Sequence, residues 1–353
     1  RYLFFRTWDC FPDRFHADPD YYQTVCAQVE PHEKLLFSIK HTALDFWRRV
    51  KFNECITLGA HRQIIEVQCQ REYEGKGAYP MYVMNGVINT FEEYASPRGL
   101  RDVVGNPLVC GIYTWTRGGG WEGPYLKNEF WCGLNAYVIA QYAKDPSRTE
   151  EEIFNAYTRE QMGLSAADAE KFRRLCLTAC RAELLGRYIK DYDDKHLHQA
   201  VVPCGNWIRD DKLGGLDQLG EVFAALYSDG TLRDALAEKR QALALWEEVR
   251  EIYRSMEFRD TELGAYIGVS VDYAVELFRI ICHGWGVMVE GYLGDRSGSY
   301  DREALREQIR AYDAAWGAYR QVGERKDCAS LFRDTYFGEP GLGATVDRYR
   351  DKV

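Results

Sequence analysis

Asp45 and Glu72 each follow a strand-like segment, and Arg6 and Lys40 each end one. Catalytic groups of a parallel α/β barrel sit at the C-terminal strand ends and in the loops that follow. A pair of carboxylates there suits glycoside hydrolysis, in which one carboxylate activates water and a carboxylic acid protonates the leaving oxygen. Arg6 and Lys40 would add positive charge for an anionic substrate. Each of these charges has an equally simple alternative, an ion pair inside the sheet mouth. Arg48, Arg71 and Lys40 are bases near the two carboxylates in sequence.

Further candidate substrate contacts are His41, beside Lys40, and Trp115, Arg117 and Trp121, which end or follow a fourth strand. The glycine-rich run from Thr116 to Tyr125 lacks the GK[ST] ending of a P-loop and does not open a helix as GxGxxG. Its glycines either let the backbone approach a ligand that Trp121 covers or turn tightly at the rim. The 11 cysteines show no CxxC or zinc spacing, so no metal or cofactor is expected. Scattered in apolar contexts, they read as small hydrophobes in a reducing cytoplasm.

The elements that position these residues alternate through the first 145 residues. Strands are expected at Tyr2–Thr7, Leu35–Lys40, Gln63–Gln70 and Leu108–Trp115. Helices are expected from Asp18-Pro19-Asp20 to about Gln28, at Val87–Tyr94 and at Phe130–Lys144. The third strand is the most telling. Ile65, Val67 and Cys69 share one face, and Glu66, Gln68, Gln70 and Glu72 share the other. A polar row inside a parallel sheet is costly unless it is hydrogen-bonded or functional.

From Pro146 on, strand signals nearly vanish. Thr149 to Glu152 reads as a capping box. Long helices are expected at Ser165–Tyr192, Leu232–Met256, Asp260–Tyr292 and Asp301–Gln321, with short strand or loop pieces around Val201–Trp207. The expected fold class is therefore α/β over residues 1–145 and all-α over 146–353. A formal charge of −9 argues against a nucleic-acid surface. No apolar run reaches the roughly 18 residues of a membrane span.

Two segments resemble motifs of the glycoside hydrolase family 67 α-glucuronidases. Ser38-Ile39-Lys40-His41-Thr42-Ala43-Leu44-Asp45-Phe46 is similar to that family's Lys-Asn-Gly-Pro-Ile-Asp-Phe segment. Ile65-Glu66-Val67-Gln68-Cys69-Gln70-Arg71-Glu72-Tyr73-Glu74-Gly75 is similar to its Val-Glu-Phe-Gln-Ile-Thr-Gln-Glu-Tyr-Thr-Gly segment. The resemblance implies the C-terminal part of a TIM (β/α)8 barrel followed by a helical domain. It implies an inverting enzyme that removes (4-O-methyl)glucuronic acid from xylan-derived oligosaccharides. Asp45 and Glu72 would match the pair that activates water, and Lys40 and Arg6 the residues that bind the uronate carboxylate. His41-Thr42-Ala43 replaces the family's Asn-Gly-Pro, which opens the way to another acidic or neutral sugar. The family's general acid lies on an earlier strand, expected upstream of Arg1. The missing strands are expected in an upstream segment, in a partner chain, or in a second copy within a homodimer. A non-catalytic carbohydrate-binding subunit is the reading from outside the enzymes.

Overall fold

The structure is a computed structural model that describes residues 1–9, 15–45, 48–69, 73–91, 93, 98–115, 129–196, 208–209, 212–328, 332–336 and 338–353. Strands β1 (Leu3–Arg6), β2 (Leu35–Lys40), β3 (Arg62–Gln68) and β4 (Val109–Trp115) form one parallel sheet in sequence order. Helix α1 (Pro19–Cys26) connects β1 to β2, and α2 (Met84–Asn89) lies between β3 and β4. Asp18 caps α1 by accepting from the Tyr21 amide, and Pro19 takes the first helical position. The expected helix over 87–94 begins earlier and stops at Thr90, whose φ of 126° is incompatible with a helix.

Helices then take over: α3 (Phe130–Lys144), α4 (Glu150–Glu160), α5 (Ala166–Arg187), α6 (Lys190–His196), α7 (Leu216–Ser228), α8 (Leu232–Arg254), α9 (Thr261–Ser297), α10 (Arg302–Gly323) and α11 (Leu342–Arg350). The capping box of α4 is present, with Thr149 and Glu152 bonding each other's amides. The run expected from Ser165 to Tyr192 is two helices, because Tyr188 is extended at φ −93°, ψ 166°. The pieces expected around Val201–Trp207 lie outside the described residues. Beyond them Ile208–Arg209 and Lys212–Leu213 pair as a short antiparallel ladder. Helix α5 approaches α9 closely at Gly186, where a Cβ would fall 2.0 Å from Phe278 Cε1.

Register assigns the sheet two unlike faces. Arg6 pairs Ser38, Lys40 pairs Glu66, and Glu66 pairs Tyr113, so these residues share one face. Phe37, Ile39, Ile65 and Val67 occupy the opposite face, and all four are at most 3% exposed. That apolar face joins one hydrophobic core running from Tyr22 to Tyr349. The β1 edge contrasts with it, since Tyr2, Leu3, Phe4 and Phe5 are all exposed. Among the described residues no helix is long and apolar enough to cross a membrane.

Ile65→Ala should therefore destabilise the protein by about 2–5 kcal/mol, measured by urea unfolding, since it deletes a fully buried side chain between sheet and helices. A loss within the surface range of about 0.5 kcal/mol would show that this face is not packed.

Candidate active site

The polar face of the sheet is a connected network. Arg6 Nε and Nη2 each donate to Glu66 at 2.7 Å, a bidentate bond from β1 to β3 across β2. The Tyr113 hydroxyl donates to the same carboxylate, and Ser38 Oγ lies 2.9 Å from that hydroxyl. Glu66 is 1% exposed. Burial alone would raise its carboxyl, but the bonds from Arg6 and Tyr113 outweigh this and hold it below the ordinary value. Burial and Glu66 together push the Tyr113 hydroxyl up to about 12. Glu66, within the polar row of β3, is thus satisfied by charge pairing.

Lys40 ends β2 and pairs with Asp45 in the following loop. Its side chain is 2% exposed and its Nζ lies 4.3 Å from the centroid of the Trp8 ring. Trp8 in turn packs on His16, with centroids 4.6 Å apart. His16 Nε2 donates to the Ala43 carbonyl at 2.6 Å, and its Nδ1 lies 2.9 Å from Asp9 Oδ1. His16 therefore ties the segment after β1 to the loop that carries Asp45. No spacing in the sequence marks Trp8 or His16. Ser38 and Tyr113 were findable, because they continue the period-two row of Lys40 and Trp115 on their own strands.

The structure brings Arg6, Lys40 and Asp45 to one end of one face, around Glu66. Both cations are ion-paired within the chain, the alternative that the sequence left open. His41 goes elsewhere. It packs on Phe52 and lines a small cavity with Val87, Phe91 and Arg98, away from the polar face. Burial and nearby Lys40 push its imidazole down to about 3, so it is neutral. Trp115 ends β4 opposite Gln68. Glu72, Arg117 and Trp121 lie outside the described residues.

Buried ions and a carbonyl of α5 hold the two loops next to the candidate carboxylates. Arg48 donates to Glu93 at 2.6 and 2.9 Å and to the Cys180 carbonyl at 3.0 Å. Arg187 donates to Glu183 at 2.6 Å and to the Tyr73 carbonyl at 2.7 Å. The Tyr188 hydroxyl donates to Glu74 at 2.5 Å. Cys180, Glu183 and Arg187 fall on one face of the helix. Burial disfavours the Arg187 charge, but Glu183, Tyr79, Glu74 and Tyr188 together more than offset this and keep it protonated. Among the described residues no group of three His, Cys, Asp or Glu is placed to hold a metal.

Glu66→Gln should cost about 1–3 kcal/mol at pH 7, because it removes the charge that Arg6 and Tyr113 bind. The folded pKa of Glu66 is lowered, so its contribution is present above the ordinary value of 4.5 and is lost as pH falls through the folded value. Urea unfolding at pH 7 and pH 4 should show the wild type losing more stability on acidification than Glu66→Gln; equal losses would contradict the pairing. Arg187→Met should cost about 3–5 kcal/mol by leaving Glu183 buried and charged. Adding Glu183→Leu should recover part of that loss, and strict additivity in the double variant would overturn the assignment.

No protein-family model matches the chain, and no curated protein matches it. A solved structure does, that of a GH138 enzyme targeting pectin rhamnogalacturonan II. The match covers 99% of this chain and 44% of that one, with a TM-score of 0.51 and 10% identity. The chain thus spans less than half the length of the protein it resembles, and the likeness is one of fold: a mixed α/β chain with the architecture of part of a glycoside hydrolase.

Proposed function

We propose that the protein is a glycoside hydrolase that removes a uronic acid from an acidic glycan, with inversion, in the manner of an α-glucuronidase. The observation that carries the reading is the convergence of Arg6, Lys40, Asp45 and Glu66 at the C-terminal end of a parallel sheet. The fold likeness to part of a glycoside hydrolase supports it. In this reading Asp45 and Glu72 form the base pair. They take a proton from water as its oxygen attacks the anomeric carbon, while a carboxylic acid gives a proton to the departing oxygen. An inverting site keeps base and acid about 6.5–9.5 Å apart, with the water between base and sugar.

The acid is proposed to come from strands that complete a (β/α)8 barrel beside β1. The exposed residues Tyr2, Leu3, Phe4 and Phe5 support such completion, since an uncovered apolar edge invites pairing. Two acidic glycans are the substrates to try. Xylan-derived aldouronic oligosaccharides follow from the sequence motifs, and rhamnogalacturonan II fragments follow from the GH138 likeness.

Release of free uronic acid from both glycans, assayed with the full-length protein, tests the reading. Glu72→Gln should lower kcat by at least about a hundredfold, as loss of a general base does. Near-normal turnover in that variant would remove Glu72 from the base. Release of only neutral sugars, unaffected by Lys40→Met, would replace the uronate reading with that of a hydrolase for neutral glycosides.

A further inference from the structure

The charges around Lys40 pose a problem for an anionic substrate. Among the described residues, two cations, Arg6 and Lys40, meet two carboxylates, Glu66 and Asp45, and these four charges balance. A uronate that joined the group intact would bring a further carboxylate into a partly buried, low-dielectric site. Its repulsion from the resident carboxylates would cancel much of its attraction to the cations. Binding therefore calls for one resident carboxylate to leave.

The two ion pairs differ in how readily they open. Arg6 and Glu66 are joined by two bonds, their backbones lie in strands of one sheet, and Glu66 is 1% exposed. Asp45 lies in the loop after β2, is 15% exposed, and meets Lys40 through Oδ1. Lys40 cannot follow it outwards. It ends a paired strand, is 2% exposed, and packs on Trp8, which His16 supports. The cation is fixed, and the carboxylate beside it sits at the mouth.

We propose that a substrate carboxylate docks on Lys40 by displacing Asp45, so that recognition of the anion releases the group that activates water. This rests on the uronate reading above and adds an order of events to it. The exchange keeps the buried charge balanced, one carboxylate leaving as another arrives. Asp45, freed from a cation, becomes the stronger base. A neutral sugar cannot displace Asp45 and leaves it engaged. Discrimination against neutral glycosides would then appear in turnover as well as in binding.

The exchange predicts the sign of an unusual effect. Calorimetry on the full-length protein would measure D-glucuronate and, as a neutral control, methyl α-D-glucoside. Asp45→Asn removes the competitor and should bind D-glucuronate about tenfold tighter than wild type, or about 1.4 kcal/mol. Binding of the neutral glucoside should not change. The gain should vanish in Lys40→Met/Asp45→Asn, and Asp9→Asn, which removes a nearby carboxylate paired with His16 instead, should not reproduce it. Asp45→Ser serves the same purpose if the asparagine variant fails to fold, as checked by its thermal unfolding midpoint. Wild type that binds D-glucuronate with Asp45→Asn no tighter, or an equal gain in Asp9→Asn, would overturn the exchange and leave the uronate reading standing. Absence of D-glucuronate binding in every variant would overturn both.

Discussion

The polar interior of the sheet is tolerable only because its charges are matched in place. Arg6, at the tip of β1, reaches over β2 to grip Glu66 in β3 with two nitrogens of its guanidinium. Tyr113 of β4 completes the set, so one carboxylate engages both edge strands. This interaction lets a parallel sheet carry a row of ionisable groups on one face while it buries Phe37, Ile39, Ile65 and Val67 on the other. Lys40 and Asp45 can then sit above a layer whose electrostatics are already settled.

The helices contribute to the site indirectly. Helix α5 acts at the rim, where its Cys180 carbonyl, Glu183 and Arg187 anchor the segments on either side. Pairing two buried ions is an expensive way to hold a loop, and apolar packing would often be more stable. What charge pairing adds is direction. Arg187 has fixed donors, and the Tyr73 carbonyl and the Glu183 carboxylate must meet them in one arrangement.

Much of this is readable from local signals. The four strands, the capping box at Thr149 and the helix Phe130–Lys144 depend on periodicity and caps that lie within a few residues. Helices α7 and α11 are harder to see for the same reason. Each follows a glycine, Gly215 or Gly341, which has no side chain with which to cap the helix. The break at Tyr188 is likewise non-local, since Arg187 and Tyr188 turn to meet Tyr73 and Glu74. At the site, the alternation of β3 reveals Glu66 as an inward-facing group. Its partner Arg6 is 60 residues away, and no pattern in either strand links them. The same limit conceals His16, which matters only because folding brings Asp9 and Ala43 to its two ring nitrogens.

The contact at Gly186 extends further than its place in the packing suggests. Helix α5 stands so near Phe278 that not even a methyl group fits between them. The neighbouring residue, Arg187, holds the Tyr73 carbonyl. A single added carbon deep among the helices would force either the Phe278 ring or α5 to move, and a shift of α5 would travel along that bond to the rim of the sheet. Drift in this protein is thus constrained at positions within its helical half. Inheritance of the site's spacing depends as much on an absent side chain in the helical half as on any charged residue at the mouth.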